Sequence, residues 1–243
     1  MLAAMDTEAG KPAAPERETT REALTRARIY HFLELAAAHP GEDGVAWFAA
    51  PETEAQLFNS LDRLPQDASL AAARMALGAF VESLRARSFE AVESAHIGLF
   101  ATNFPVVPCP PYGSLFTVEE PKRLEEMLAI KRFYHDSGVD ISGDYRDLPD
   151  HLCVELEFMH LMCFREDEAR DEALIEAARR TQATFIDRFM QPFLDRLAAL
   201  AARFDRDNPY AHLLEATRFF IAYHRAQIAL SALNFAANKG RVS

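Results

Sequence analysis

Apolar residues recur at three- and four-residue intervals through most of this chain, which is the period of an amphipathic helix. The clearest example follows Asn208-Pro209, where the repeating positions are Tyr210, Leu213, Leu214, Thr217, Phe220, Ile221, His224 and Ile228. No segment shows the sustained alternation of apolar and polar residues that a half-buried strand requires. The pattern therefore predicts an all-α fold, a bundle-like body of about nine or ten helices.

Proline, glycine and capping residues divide this pattern into separate helices. The predicted helices begin near residue 19 and cover 51–64, 68–87, 89–101, 119–137, 148–165, 167–203 and the residues after 208. Asp147 is the predicted N-cap of the helix over 148–165, and Asp150 is expected to complement the positive end of its dipole. Pro192 predicts a bend or an interruption in the helix over 167–203, because proline lacks the amide hydrogen that a helix interior needs.

The first residues differ in composition from the rest of the chain. Residues 1–18 are rich in Ala, Pro, Glu and Thr and contain few large apolar residues, which predicts a disordered N-terminal tail. Residues 19–243 are predicted to form one all-helical domain. Within it, a proline-rich loop joins two halves, about 19–102 and 119–235.

Composition and charge narrow the class of partner. The 243 residues suffice for one substantial hydrophobic core, and 49% hydrophobic with 26% charged residues is ordinary for a soluble globular protein. The formal net charge of −11 disfavours nucleic acid, because phosphates would be repelled, and favours a basic peptide.

Hydropathy and cysteine usage predict a cytoplasmic protein with reduced thiols. No apolar run reaches the roughly 18 residues of a membrane helix, so no membrane insertion is expected, and the N-terminus does not resemble a secretory leader. The three cysteines are Cys109, Cys153 and Cys163. The last two are predicted to share a helix roughly 15 Å apart, which is too far for a disulfide, and no pair has metal-clip spacing.

Two enzyme classes are alternatives. Two Glu-x-x-His pairs match the spacing of helical di-iron sites, which also need a Glu from each of two further helices. The candidate ligands are Glu93, His96, Glu157, His160, Glu34 and either Glu125 or Glu126. Cys109 is a candidate nucleophile, but the sequence identifies no base to activate it. No zinc motif, phosphate loop or Gly-x-Ser-x-Gly motif occurs.

Two segments carry features that a stable helical fold alone does not require. The loop segment, residues 108–116, has the sequence PCPPYGSLF, and the helix-entry segment, residues 147–159, has the sequence DLPDHLCVELEFM. The prolines fix their own φ angles, so the loop keeps its shape without a ligand and binding needs less ordering. Both segments are therefore candidates for the two sides of a binding groove.

Each candidate binding residue also has a purely structural alternative. Asp150 and His151 would point into the groove, or Asp150 would serve only the helix terminus and His151 would be half-buried in a hydrogen bond. Leu99 and Phe100 would line the groove or belong to the core.

Together with HIGLF at 96–100, these two segments resemble the two signature motifs of the TorD/DmsD family, also called redox-enzyme maturation proteins. The similarity spans about 20–235, includes the helix with KRFYHDSGVD at 131–140, and is most specific in the central third. The chain departs from the family near 185–197, where FMQPF stands at 189–193, and at His96. At these positions the chain resembles one branch of the family. Members of that branch serve type II DMSO-reductase-like enzymes, such as periplasmic hydrocarbon or oxyanion oxidoreductases.

The resemblance implies a cytoplasmic chaperone without catalytic activity and without a cofactor of its own. It implies binding of the twin-arginine signal peptide or the apo catalytic subunit of an exported molybdenum oxidoreductase, with export delayed until the cofactor is inserted. Apolar side chains would hold the hydrophobic part of such a peptide. Carboxylates would hold its arginines, and Glu157 is a further candidate for this role. The candidate client-binding residues are Leu99, Phe100, Pro108, Pro110, Ser114, Leu115, Phe116, Asp150, His151 and Glu155.

Overall fold

The computed structural model describes residues 2–4, 18–102 and 106–239, and this part of the chain is mostly helical. The α-helices are α1 (Glu18–Ala37), α2 (Glu42–Ala49), α3 (Pro51–Asp62), α4 (Ala68–Arg85), α5 (Phe89–Phe100), α6 (Ser114–Thr117), α7 (Arg123–Asp136), α8 (Leu152–Glu168), α9 (Glu172–Phe185), α10 (Gln191–Phe204) and α11 (Pro209–Lys239). A 3-10 turn, Glu120–Lys122, precedes α7. The predicted all-α class is confirmed. Among the described residues, no helix combines the length and apolarity that crossing a bilayer requires.

The hydrophobic core forms where early and late helices pack together. Helix α1 lies along α8, and α11 lies along both α4 and α10. Fully buried aromatic side chains belong to all five of these helices: Tyr30, Phe80, Phe158, Phe193 and Phe220. Because the α1–α8 and α4–α11 contacts each join a helix before the loop segment to one after it, both parts of the chain contribute to one core.

A buried ion-pair network reinforces the contact between α1 and α8. The Arg26 Nη2 of α1 donates to both carboxylate oxygens of Glu166, at 2.9 and 3.0 Å, and Arg179 Nε of α9 donates to Glu166 Oε1 at 2.8 Å. Burial by itself would raise the pKa of Glu166, but the two guanidinium groups outweigh it, and that pKa lies below its ordinary value. The carboxylate is therefore charged and links three helices.

Four residues of the predicted disordered tail, residues 1–18, lie in regular elements instead: three in a strand and Glu18 at the start of α1. Leu2–Ala4 form strand β1, which pairs antiparallel with β2, Val139–Ile141. Strands of three residues are too short for an alternating pattern to reveal, so the sequence pattern missed both. The rest of the predicted tail, residues 1 and 5–17, lies outside the described residues.

Helices α9 and α10 are continuous through a π-helical turn, Ile186–Met190. The sequence predicts a bend or an interruption before Pro192, and the structure has a local irregularity there without a break in the helix. Pro192 has no amide hydrogen to donate one turn back, and its ring crowds the preceding turn. A π turn changes the hydrogen-bond spacing, so the helix continues past the proline with a local irregularity.

Helix α8 begins at Leu152, later than the sequence predicts, and its N-cap is His151 rather than Asp147. The ring Nδ1 of His151 accepts a hydrogen bond from the amide of Cys153 at 3.2 Å. Asp147 Oδ1 instead accepts from the adjacent amide of Leu148 at 2.7 Å. Aspartate is the more common capping residue, and for this reason the sequence favoured Asp147.

Candidate functional site

The loop segment and the helix-entry segment meet at one place, where α6 lies beside the start of α8. The amide of Gly113 donates to the carbonyl of Asp150, and the amide of Leu152 donates to the carbonyl of Pro111, each at 2.9 Å. These two backbone hydrogen bonds hold the segments together. Residues 108–116 and 147–155 are called the junction below.

Asp150 fixes the loop segment at the junction. Its Oδ2 accepts a hydrogen bond from the amide of Ser114 at 2.8 Å, and both residues are buried. The sequence predicts an effect of Asp150 on the dipole of α8, and the structure adds a hydrogen bond from the first amide of α6. Its contact with a client stays a prediction, and so does that of Ser114.

Glu155 lies beneath the loop segment, in the first turn of α8. Gly113 approaches it so closely that a Cβ on this glycine would lie 3.0 Å from Glu155 Oε1. Burial raises the pKa of Glu155 well above its ordinary value, and the carboxylates of Asp150 and Glu126 raise it further. The neutral acid is therefore favoured in this conformation, so Glu155 would have to lose a proton to pair with an arginine as the sequence suggests; this contact stays a prediction.

Two carboxyl oxygens of the junction lack a hydrogen-bond partner within the described part of the chain. They are Asp150 Oδ1 and Glu155 Oε2, and both are buried. A buried polar atom without a partner costs about 1–3 kcal/mol, and most buried polar atoms in native proteins avoid this cost. These oxygens can accept hydrogen bonds from a cationic group that reaches them.

Tyr112, Asp147 and His151 form the more accessible polar part of the junction. The rings of Tyr112 and His151 meet edge to face with centroids 5.3 Å apart. Burial, and then a hydrogen bond to Asp147, raises the pKa of Tyr112 to about 12. Burial lowers the pKa of His151 in spite of the opposing effects of Asp147 and Asp150. Tyr112 and Asp147 are not among the predicted site residues, although both stand within the two segments.

The apolar side chains of the loop segment keep part of their surface exposed. Pro108, Pro110, Leu115 and Phe116 are all half-buried. Phe116 packs on Phe193 of α10 with ring centroids 5.5 Å apart, and its carbonyl oxygen accepts a hydrogen bond from Arg196. This packing holds the end of the loop segment against α10, so the remaining apolar surface has a fixed position.

Leu99 and Phe100 lie behind this surface. Both belong to the hydrophobic core, and the carbonyl of Leu99 accepts a hydrogen bond from the amide of Cys109 at 2.9 Å. They therefore support the loop segment instead of forming the outer wall of a groove. Two residues that are not among the predicted site residues do expose apolar surface: Val106, just before the loop segment, is 73% accessible, and Leu148 of the junction is 44% accessible.

The geometry does not support the enzyme alternatives. His96 is buried with its Nε2 3.3 Å from the carbonyl oxygen of Ala37, and burial lowers its pKa to about 4. His160 Nδ1 lies 2.9 Å from the carbonyl oxygen of Ala27. Within residues 2–4, 18–102 and 106–239, no group of three or more His, Cys, Asp or Glu side chains is arranged as a metal site. Burial raises the pKa of the Cys109 thiol to about 12, which disfavours a nucleophilic thiolate.

Comparison with known families agrees with the two motifs. A family model described as the nitrate reductase delta subunit matches residues 66–199, which is more than half of the chain and includes the loop segment and the helix-entry segment. The chain belongs to the nitrate reductase delta subunit family.

Relatives of this family member are named as chaperones. The perchlorate reductase assembly chaperone protein of Dechloromonas aromatica is 26% identical over 212 residues, which cover 84% of this chain and 86% of that protein. The selenate reductase assembly chaperone protein of Thauera selenatis is 35% identical over 114 residues, 45% of this chain and 54% of that protein. The chaperone protein TorD of Vibrio parahaemolyticus is 30% identical over 117 residues, 46% of this chain and 52% of that protein. The matched residues span most of the first relative and about half of each of the other two. The predicted resemblance to the TorD/DmsD family is confirmed.

Proposed function

We propose that this chain is an assembly chaperone for an exported molybdenum-containing oxidoreductase and has no catalytic activity. It acts in the cytoplasm, where it binds the twin-arginine signal peptide or the apo form of the catalytic subunit. Binding delays export until the cofactor has been inserted. The client is an oxyanion-reducing enzyme of the type II DMSO-reductase-like branch, an inference supported by relatives named after perchlorate and selenate reductases.

The observation that carries this proposal is the union of the two motif segments at the junction. Two backbone hydrogen bonds and the prolines restrict the loop segment before any client arrives. Because the loop segment is already ordered, client binding loses little conformational entropy there. A helical fold without a partner does not need a restrained apolar loop beside buried carboxyl groups.

The chemistry of the junction suits a peptide that combines an apolar stretch with arginines. Val106, Leu148 and the half-buried side chains of the loop segment offer apolar surface. Asp147 is the exposed carboxylate nearest to His151, with Asp147 Oδ2 4.0 Å from its Nε2. We infer that a client arginine meets Asp147 first and then the unpartnered oxygens of Asp150 and Glu155. The net charge of −11 speeds the encounter with a cationic peptide.

Calorimetric titration tests the proposal. The ligand is a synthetic twin-arginine signal peptide from a perchlorate or selenate reductase catalytic subunit, and the control is the same peptide with both arginines replaced by glutamine. We expect saturable binding of the first peptide and binding at least about tenfold weaker for the second, because charge-assisted hydrogen bonds are lost. If Glu155 ionises on contact with arginine, the measured heat also depends on the ionisation enthalpy of the buffer, since the released proton is taken up by the buffer.

Pull-down with the catalytic subunit distinguishes a chaperone from a permanent subunit of a reductase complex. We expect capture of the apo subunit and little capture of the cofactor-loaded subunit. If neither the peptide nor the apo subunit binds, or if the loaded subunit is captured equally well, the proposed function is wrong.

A further inference from the structure

A recess lies between α1 and α3 and shares no residue with the junction. Its volume is about 470 Å³, which is within the range of small-molecule sites. Its lining includes Arg28 and His31 of α1, Trp47 of α2, and Arg63, which directly follows α3. This recess is called the basic pocket below.

The charge of the basic pocket is opposite to that of the chain. Its ionisable lining residues are Arg28, His31 and Arg63, and no Asp or Glu lines it. The whole chain has 37 acidic and 26 basic residues. The other polar side chains of the lining are neutral: Thr53, Gln56, Asn59 and Ser60. A concave surface of one sign raises the local concentration of the opposite charge, so this pocket attracts anions.

The two arginines of the basic pocket are not engaged by carboxylates. Within the described part of the chain, neither Arg28 nor Arg63 forms an ion pair. Two of the three acidic residues of α3 pair elsewhere: Asp62 lies 2.7 Å from Arg74, and Glu54 lies 2.8 Å from Arg85. The third, Glu52, does not line the pocket. Both guanidinium groups are therefore available to a ligand.

His31 is the third basic group, and it has a carboxylate neighbour. Its Nδ1 lies 3.2 Å from Glu34 Oε2, but Glu34 does not line the pocket. The anion-binding capacity of the basic pocket therefore rests on Arg28 and Arg63.

The floor of the basic pocket is apolar and partly aromatic. Phe32 and Leu35 of α1 lie beside Trp47, and the rings of Phe32 and Trp47 have centroids 6.1 Å apart. Trp47 leaves 47% of its surface exposed. An exposed indole next to guanidinium groups offers a flat face on which a planar ring can stack.

We propose that the basic pocket binds a small organic anion that carries a phosphate group on a flat ring. The phosphate lies between Arg28 and Arg63, whose planar guanidinium forks suit oxyanions, and the ring lies on Trp47. This binding activity is separate from the proposed contact with a client and does not depend on it.

Fluorescence titration with phenyl phosphate tests the proposal, because this probe carries both features. Trp47 is the only tryptophan of the chain, so its emission reports on this pocket. We expect a saturable change in Trp47 emission that fits a single site on the full chain. Inorganic phosphate and benzyl alcohol each carry one feature only, and each is expected to bind at least about tenfold more weakly than phenyl phosphate.

Variants locate the site. Arg28→Gln and Arg63→Gln are each expected to weaken phenyl phosphate binding about tenfold, since each removes one charge-assisted contact. Both arginines are exposed, so the variants should keep the wild-type melting curve in circular dichroism. Arg203→Gln is the matched control, because Arg203 is an exposed arginine of α10 outside the pocket, and no change in binding is expected.

Three results would overturn the proposal. One is the absence of a saturable change in Trp47 emission at millimolar phenyl phosphate. Another is equal weakening of binding by Arg203→Gln. The third is a change in Trp47 emission caused by a glutamate-rich peptide but not by phenyl phosphate, because that would identify an acidic polypeptide as the partner.

Discussion

The carboxyl group of Asp150 has two oxygens with different roles. Oδ2 accepts the amide hydrogen of Ser114 at 2.8 Å, whereas Oδ1 has no partner within the described part of the chain. The first contact stabilises the fold, and the second oxygen is left for a client. Two substitutions can therefore separate stability from binding.

Asp150→Ala removes both oxygens and leaves the amide of Ser114 without a partner, so we expect the free energy of unfolding to fall by about 1–3 kcal/mol. Asp150→Asn keeps an oxygen for Ser114 but carries no charge. We expect it to stay within about 1 kcal/mol of wild type and to bind the signal peptide at least about tenfold more weakly. Urea unfolding and calorimetry measure the two effects. Wild-type affinity in the asparagine variant would show that Asp150 serves only the fold.

Glu34 makes stability depend on pH. Burial, with a contribution from the charge of Glu157, raises the pKa of Glu34 from 4.5 to about 7. Between these two values the folded chain holds a proton that the unfolded chain releases, so stability falls as the pH rises through this window. The shift corresponds to about 3 kcal/mol at most.

Glu34→Gln removes this titration. In wild type, the free energy of unfolding should fall as the pH rises from about 5 to about 8. In the variant we expect this decrease to be smaller by about 1–3 kcal/mol. Urea unfolding at the two pH values measures the difference. His31 Nδ1 lies 3.2 Å from Glu34 Oε2, so His31→Gln is the matched control for loss of a neighbour of this carboxyl group. An unchanged pH dependence in Glu34→Gln would contradict the assignment.

At the scale of the elements, Gly113 allows α6 to sit directly on α8 and α10. A Cβ on Gly113 would lie 3.0 Å from Glu155 Oε1 and 3.6 Å from the Cδ1 of Phe193. We expect Gly113→Ala to lower the free energy of unfolding by about 1–3 kcal/mol, because neither neighbour is free to move far. Gly44→Ala in α2 is the control: nothing lies within 4 Å of its Cβ, so we expect a neutral or slightly stabilising effect. Equal melting temperatures for the two variants would show that the contact at Gly113 is loose.

The long helices could be predicted from the sequence, but the details of the junction could not. Periodic apolar positions indicated most helix bounds to within a few residues, and Pro192 indicated the irregularity between α9 and α10. The short helix α6 depends on contacts between segments far apart in the chain, which local propensity does not contain. The cap at His151 is a local contact, but aspartate is the more common capping residue, so propensity favours Asp147.

The same limit applies to the candidate site. The two motifs marked the loop segment and the helix-entry segment, and the structure places them side by side. The sequence alone did not indicate that Tyr112 would bond to Asp147, or that Leu99 and Phe100 would be enclosed by the core. Residue type suggests Glu155 as a charged arginine partner, but it does not reveal the burial that raises the pKa of this carboxyl group.

For the whole molecule, the interlocking of early and late helices predicts a single unfolding transition. Helix α1 depends on α8, and α4 depends on α11, so neither part buries its apolar face alone. Trp47 fluorescence reports on the first part of the chain, and far-ultraviolet circular dichroism reports on all helices. We expect both signals to change at the same urea concentration.

Glu166→Ala tests this coupling because it leaves Arg26 buried without its partner in α8. We expect the free energy of unfolding to fall by about 3–5 kcal/mol, and the fluorescence and circular dichroism transitions to move together to lower urea. Asp187→Ala breaks an exposed ion pair with Arg225 and should cost no more than about 1 kcal/mol. If the Trp47 transition stayed in place while the circular dichroism transition moved, the two parts would unfold independently. The loop segment would then be a linker between two units, and the restraint that the junction offers a client would depend on the second unit alone.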